Sequence, residues 1–444
     1  MIKNIIWNSF QLILVCSFLI VMFQSCSVKY TSHDYLDKDN KFSSIIEADT
    51  ILSNHFAGVS VYSITDGKSI IDYNSTKLFT AASNTKILTF YAALKLLNDS
   101  LVTFYHYNID DTLFVKPNGA PSFLHPDFNN TAINKMVSWK GEIVILNDEN
   151  LNNYYGSGWA WDDYADYYQS EINNMPMYGN CLWIKKSVKG LTISPQYFQD
   201  SIIYLEDNLY QFSREGRKNK FYVMSKKREM KTNQIPFVTG ESVLSQLLSD
   251  TLHKDIEVKT IRNQNEIFAP YNGIAKDTVL KKMMFDSDNF IAEQIMVMIA
   301  NQLKIERWKE VQKAVIDSVF HFSNEKIRWH DGSGLSRYNL LTPKFLTDLL
   351  SELHSLIGKK EIVKYFPAGG KDVGLTNYRS DKNGAPYFFA KTGTLRNNHN
   401  LSGYLITDKG KWVAFSIMNN NYYGSSATVK PAIQKLLMFI KEKY

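Results

Sequence analysis

The chain has 444 residues, 44% hydrophobic and 14% aromatic, which gives it material for two or three cored domains and rules out a disordered chain. Its 50 basic and 44 acidic residues leave a net charge of +6 spread along the whole length, which argues against a nucleic-acid partner. The 3 cysteines form no zinc-type pair and the 9 histidines no HExxH or H-x-H cluster, so a structural metal site is not expected.

Residues 1–25 read as a secretory signal. Lys3 and the α-amino group precede an apolar run from Leu12 to Phe23, broken only by Ser17, and small Ser25 follows. An uncleaved membrane anchor is the alternative, although a span needs about 20 apolar residues. Ser25 followed by Cys26 resembles a bacterial lipoprotein processing site, in which the cysteine is lipidated and becomes the new N-terminus. That resemblance implies an exported, periplasmic lipoprotein held to the membrane through Cys26. Cys16 then leaves with the signal, Cys181 stands alone, and no disulfide forms within one mature chain.

Residues 26–40 are polar and suit a tether. A short helix is expected over 43–52. A β-hairpin follows, AGVSVYSI and SIIDYN about the turn Thr65-Asp66-Gly67, and then a buried helix over 81–97. From 98 to 276 turn residues alternate with β-like runs (EIVILN, LTIS, SIIYLE, KFYVMS, IEVKTI), which reads as one or more inserted, mostly β domains. Helical periodicity resumes over 278–303, 311–320 and 343–356. Three strands follow, PYFFAKTG, LSGYLITD and KWVAFSIM, and a helix over 427–443 closes the chain. The pattern predicts an α/β unit over 41–97 and 277–444 whose sheet draws on both chain ends.

Three short motifs carry chemistry. Ser83-Asn84-Thr85-Lys86 starts the first strong helix, and residues three apart on a helix share a face, so Lys86 Nζ can approach Ser83 Oγ. A serine hydroxyl needs a base, and a desolvated lysine can serve. Spacing alone does not decide, because Ser323-Asn324-Glu325-Lys326 has the same one. Ser287-Asp288-Asn289 interrupts an apolar helical run; it fits a buried hydrogen-bonding corner or a proton relay beside a substrate-binding amide. Lys391-Thr392-Gly393-Thr394 follows an aromatic strand. It fits an ordinary strand end, or an edge that takes a substrate backbone by β-augmentation, with glycine allowing its close approach and lysine facing a carboxylate.

In this order the three motifs are the SxxK, SxN and KTG set of serine penicillin-recognising enzymes. Further segments resemble the DacB-type D-alanyl-D-alanine carboxypeptidase/endopeptidase family, the class C low-molecular-mass penicillin-binding proteins. These are DGSGLSR from Asp331 to Arg337, KTGTL from Lys391, LSGY from Leu401, and GWAWDD from Gly158 to Asp163. The long insertion between Ser83 and Ser287 marks this type against class A β-lactamases.

The resemblance implies a penicillin-binding transpeptidase-like (β-lactamase-like) fold with inserted β domains. It implies a cofactor-free hydrolase with D-Ala-D-Ala carboxypeptidase and/or DD-endopeptidase activity on peptidoglycan stem peptides, acylated by β-lactams. Ser83 is then the nucleophile and Lys86 its base. Ser287 and Lys391 relay the proton to the leaving nitrogen, Asn289 binds the substrate amide, and Ser83 and Thr394 amides form the oxyanion hole. Lys391, Thr392 and Gly393 hold the terminal carboxylate end. Asp163, with Asp162 as second choice, binds the free ammonium of diaminopimelate between aromatic walls, and Arg337 binds a neighbouring carboxylate. A serine β-lactamase and a non-catalytic peptidoglycan-binding or penicillin-sensing lipoprotein are the other readings; adduct lifetime and muropeptide products separate them.

Overall fold

Strands buried along nearly every residue belong in the middle of a sheet covered on both faces, and Phe56–Ser63, Asn398–Ile406 and Trp412–Asn420 are of this kind. They are the three central strands of a five-stranded sheet in the computed structural model. That structure describes residues 41–129, 131–147, 154–187, 190–205, 212–224, 233–260, 267–305 and 308–444. The expected signal, the tether and Cys26 lie outside the described residues.

The sheet runs in the order Phe388–Leu395, Asn398–Ile406, Trp412–Asn420, Phe56–Ser63, Lys68–Tyr73, antiparallel throughout. Both chain ends therefore contribute, as the pattern predicts. The KTG strand, Phe388–Leu395, is an edge. Its first half is covered: Gly369 N donates to Phe388 O (2.9 Å) and Ala390 N to Pro367 O (2.9 Å). Strand groups alternate in direction, so the backbone groups of Thr392 and Thr394 face the same outward side, beyond that cover.

The helix Pro343–Tyr365 lies on the sheet through Leu346, Leu349, Leu350 and Leu353. It starts where Thr342 Oγ1 accepts from Phe345 N at 3.0 Å, with Pro343 in its first turn. Its regular helix stops at Gly358 (φ 74°, ψ 171°), close to the expected end at 356, and a second helical stretch continues across that kink to Tyr365. Together with Lys86–Leu96 and Asn289–Gln302 it encloses the first hydrophobic core, which includes Ile87, Leu88, Ile291, Ile295, Leu346 and Leu350.

Residues 98–276 build a second core around Phe104, Val115, Ile145, Leu182, Phe221 and Leu248. Here the main sheet is mixed, in the order Ile256–Thr260, Glu142–Asn147, Thr112–Pro117, Ser100–Ile109, Ala269–Ala275, and two three-stranded sheets accompany it. The helix Glu241–Leu252, which the β reading omitted, covers it with Leu244, Leu247, Leu248 and Leu252. Where the chain leaves and re-enters the first core the two crossings are clasped. Lys276 Nζ donates to Leu97 O at 2.6 Å and Lys276 N to Asp99 O at 2.7 Å.

Candidate active site

The α-helix expected over 81–97 begins only at Lys86. Ala82–Thr85 form a 3-10 turn, and Ala82 sits at φ 49° immediately before the serine. Bonds to the sheet hold this turn against the helical alternative. Asn84 Nδ2 donates to Lys391 O (2.8 Å), Ser402 Oγ donates to Asn84 Oδ1 (2.8 Å), and Asn400 Nδ2 donates to Thr80 O and Ala81 O (2.9 Å each). A positive φ at alanine costs on the order of 1 kcal/mol and persists only where surroundings impose it.

The turn places Ser83 in the wall of a cleft of about 1020 Å³. Lys86 is fully buried behind it. Its Nζ donates to Ser83 Oγ (3.2 Å), Asn289 Oδ1 (2.6 Å) and Ser333 O (2.7 Å), which uses all three hydrogens of the ammonium form. Burial pulls this ammonium from its ordinary 10.5 down to about 8, against the opposing attraction of the Asp331, Glu293 and Asp288 carboxylates.

The SDN motif divides its work among three residues. Ser287 ends the helix Lys276–Asp286 in the left-handed conformation, at φ 57°. Asp288 caps the next helix, its carboxylate accepting from Ile291 N at 2.9 Å, and burial pushes that carboxyl up. Asn289 opens the helix. With its acceptor on Lys86, its Nδ2 donates to Tyr168 O at 3.0 Å, so one amide hydrogen is left for a ligand.

Lys391 is buried as well. Its Nζ donates to Ser287 Oγ (2.8 Å) and Thr392 O (3.0 Å). Burial first, and the charge of Lys86 second, hold its ammonium well below the usual lysine range. Gly393 corrects the expectation that glycine makes room for substrate. A Cβ there would lie 2.6 Å from Ala81 O, 2.9 Å from Asn84 N and 3.1 Å from Ser83 N, so the space it leaves is filled by the turn that carries Ser83. Thr392 is half-buried on the open edge, and Thr394 is exposed in the cleft wall with its Oγ1 hydrogen-bonded to His399 Nδ1 at 2.8 Å.

The segment DGSGLSR is organised by Asp331. Its carboxylate accepts from Gly334 N (2.7 Å), Ser336 N (2.6 Å), Asn339 Nδ2 (2.7 Å) and Trp159 Nε1 (2.9 Å), the last reaching in from the insertion. Glu293 accepts from Gly332 N (3.0 Å) and Ser333 N (2.8 Å), fixing the carbonyl that receives Lys86. Burial and the neighbouring Asp331 push the Glu293 carboxyl up. Sequence reasoning assigned no role to Glu293, Asn84 or Asn400. Glu293 had a signal: it is the lone acid of its helix and, with Gln294, interrupts an otherwise apolar run.

Asp162 and Asp163 both line the cleft with Ser83. Asp162 is exposed and Asp163 half-buried, its carboxyl pushed up by desolvation and pulled back by the Tyr168 hydroxyl. The expected aromatic walls hold in part: Tyr167 and Tyr168 line the cleft, whereas Trp159 is bonded to Asp331 and Trp161 is 84% exposed and faces elsewhere. Arg337 is exposed in the cleft wall, Nη2 donating to Arg396 O at 3.1 Å. Ser323, of the duplicate spacing, donates instead to Asp348 Oδ2 at 2.6 Å and has no part in the cleft. Cys181 is a free, buried thiol pushed up to about 12 by burial.

Known proteins resemble this chain in sequence and in fold. Over 440 residues the sequence is 23% identical to the D-alanyl-D-alanine carboxypeptidase DacB of Haemophilus influenzae, covering 87% of this chain and 90% of that protein. A 100-residue stretch is 37% identical to the D-alanyl-D-alanine carboxypeptidase of an Actinomadura strain, 21% of this chain and 18% of that one. The crystal structure of penicillin binding protein 4 from Haemophilus influenzae superposes with a TM-score of 0.70 at 20% identity, over 90% of this chain and 98% of that one, and establishes the expected β-lactamase-like fold with its insertion. Residues 39–443 match the profile of a single family, so nearly the whole described chain, insertion included, falls under one description: the protein belongs to the D-Ala-D-Ala carboxypeptidase 3 (S13) family.

Proposed function

We propose that this protein is a serine-type D-Ala-D-Ala carboxypeptidase and DD-endopeptidase acting on peptidoglycan stem peptides. The observation that carries the reading is Lys86 Nζ, desolvated and poised 3.2 Å from Ser83 Oγ with its pKa near 8. Neutral Lys86 takes the Ser83 proton as Oγ attacks the penultimate D-Ala carbonyl. The Ser83 and Thr394 N–H groups receive the oxyanion, a contribution that grows as charge develops in the transition state. The proton returns to the leaving amine through Ser287, whose hydroxyl lies against Lys391. Water then cleaves the acyl ester, with Lys86 again as base.

Asn289 offers its remaining hydrogen to the substrate amide, and the Thr392–Thr394 edge extends a strand to its backbone. Lys391, with Thr392, faces the terminal carboxylate. Asp163 fits the ammonium of diaminopimelate, since it lines the same cleft and is the more sheltered of the two aspartates. Residues 98–276 form an inserted unit that brings Asp163 to the cleft and Trp159 to the Asp331 carboxylate. Export as a periplasmic lipoprotein anchored at Cys26 completes the reading; it rests on the signal-like residues 1–25, and no described helix is long and apolar enough to cross a membrane.

Intact-protein mass spectrometry tests the core of this. Penicillin is expected to add one covalent equivalent to the wild type and none to Ser83→Ala. Digestion of cross-linked muropeptides by the wild type is expected to release D-Ala and monomers. An adduct on Ser323 refutes the nucleophile, and an adduct that turns over in seconds, without muropeptide products, makes the protein a β-lactamase.

A further inference from the structure

The strand that carries the KTG motif pairs with its neighbour so that Thr394 stands directly opposite His399. Behind His399 lies Tyr378, on the segment 366–387 that also covers the first half of the KTG strand. The three side chains form one line. Thr394 Oγ1 is 2.8 Å from His399 Nδ1, and His399 Nε2 is 3.1 Å from Tyr378 Oη. Thr394 is exposed in the cleft wall, whereas His399 and Tyr378 are only 1% and 3% exposed. Neither the ring nor the phenol takes part in the acyl-transfer steps above.

Burial decides which ring nitrogen carries the proton. Desolvation first, and the Lys430 charge second, pull His399 from its ordinary 6.5 down to about 4. The ring is therefore neutral at neutral pH, with one N–H and one lone pair. Tyr378 keeps its phenol hydrogen, since burial pushes its ionisation up. Among the described residues the partner of Tyr378 Oη is His399 Nε2, so the phenol hydrogen goes there or stays unpaired. Nε2 accepts it, and the ring proton sits on Nδ1, which donates to Thr394 Oγ1. The opposite tautomer would point Nε2–H at the phenol oxygen and orphan the phenol hydrogen inside the protein.

The threonine hydroxyl is left with one role. Its oxygen accepts from the ring, and its own hydrogen, which the ring cannot take, turns to the cleft as a donor. Donors in series polarise one another, so this hydrogen is a better donor than that of an isolated threonine. An anion is its best partner, because a carboxylate only accepts and a charge-assisted bond is the stronger kind. Thr392 and Thr394, two apart on one strand, carry their side chains on the same face, which puts the hydroxyl beside the end read as the carboxylate site.

We propose that His399 and Tyr378 are positioning residues that hold the Thr394 hydroxyl as a hydrogen-bond donor to the carboxylate of the substrate. The inference rests on the serine hydrolase reading above and adds to it a contact set from the second strand of the sheet.

Two measurements on the full chain test it. In the nitrogen NMR spectrum of wild type labelled at histidine, with the His399 signals identified by their loss in His399→Asn, the protonated nitrogen is expected to be Nδ1. Acylation rates are compared for benzylpenicillin and for its methyl ester, which has no carboxylate. His399→Leu is expected to slow the first about tenfold and the second by less than about twofold. His399→Asn, whose amide N–H takes the place of Nδ1–H, is expected to recover most of that loss. Joined to Thr394→Val, His399→Leu is expected to add nothing, since it acts through that hydroxyl. A proton on Nε2, equal losses on both penicillins, or losses that add to those of Thr394→Val overturn the role. If His399→Leu fails to fold, the tautomer decides alone. A wild type that neither penicillin acylates removes the hydrolase reading, whereas failure of this role alone leaves acylation of Ser83 intact.

Discussion

The pH dependence of acylation follows from the surroundings of Lys86. Complete burial removes the hydration that stabilises an ammonium, and the three nearby carboxylates restore only part of it, leaving the pKa near 8 against an ordinary 10.5. That difference corresponds to about 3 kcal/mol between protonation states. With a midpoint near 8, about a tenth of Lys86 is neutral around pH 7 and about nine-tenths around pH 9. The rate of acylation by a fluorescent penicillin is therefore expected to rise about tenfold over that range and then level off. Stopped-flow measurement from around pH 6 to pH 10 checks it. A rate that climbs tenfold per unit through pH 9.5, as an unshifted lysine requires, refutes the assignment of Lys86 as base, and so does a flat profile. The sign of the linked stability is also fixed. The unfolded lysine keeps its proton up to about 10.5 while the folded one loses it near 8, so the unfolded state binds more protons in between. The melting temperature should accordingly gain from Lys86 as pH rises through that window, and Lys391, shifted in the same direction, adds to the gain.

Other expectations concern single side chains. Gly393→Ala forces a methyl against Ala81 O and the Ser83 and Asn84 amides, so acylation should fall about 100-fold as the two oxyanion donors separate, with about 1–3 kcal/mol lost in denaturant melts; unchanged acylation would show that the turn and strand can part freely. Asp163→Ala should lower kcat/KM about 10- to 100-fold for peptides with a diaminopimelate ammonium and leave penicillin acylation unchanged, whereas equal losses on both would make Asp163 a structural residue. Cys26→Ala should move the protein from the membrane fraction to the soluble one, and retention in the membrane would mean that residues 12–23 themselves are the anchor.

Sequence and structure agree most closely where chemistry dictates residue type. Ser83, Lys86, Ser287, Asn289 and Lys391 come from three distant segments, yet each motif shows its hydroxyl, amide or amine locally, so their convergence on one cleft could be expected. Asn84 and Asn400 were silent for the opposite reason. Their work is to bond backbone carbonyls more than 300 residues away, and nothing local distinguishes them from polar turn residues. Gly393 was read for the right property and the wrong neighbour, because a glycine reports close approach without saying of what. In the insertion, Ser100–Ile109 passed unread as a strand because its Tyr and His residues blur the alternation. The helix Glu241–Leu252 shows Leu244, Leu247, Leu248 and Leu252 at helical spacing and was legible, although its serines lower its propensity.

Several local costs gather at the site, although positive φ at non-glycine residues also occurs elsewhere, at Leu124, Tyr178 and His253 among others. Lys86 and Lys391 are buried cations whose pKa values are depressed, Glu293 is a buried acid pushed up, and Ala82 and Ser287 hold positive φ without being glycine. Each feature taken alone works against the folded state. All five lie within one residue of Ser83, SDN or KTG, or bond directly to the segment that receives Lys86. The decoy at Ser323 shows the converse. Its hydroxyl sits partly buried on Asp348 and Lys326 stays exposed, so the SxxK spacing there imposes no such cost and leaves no such trace. Spacing proposes a site; the conflict between a residue and its surroundings selects it, because two hydrophobic cores elsewhere in the chain can offset a cost that only catalysis has reason to keep.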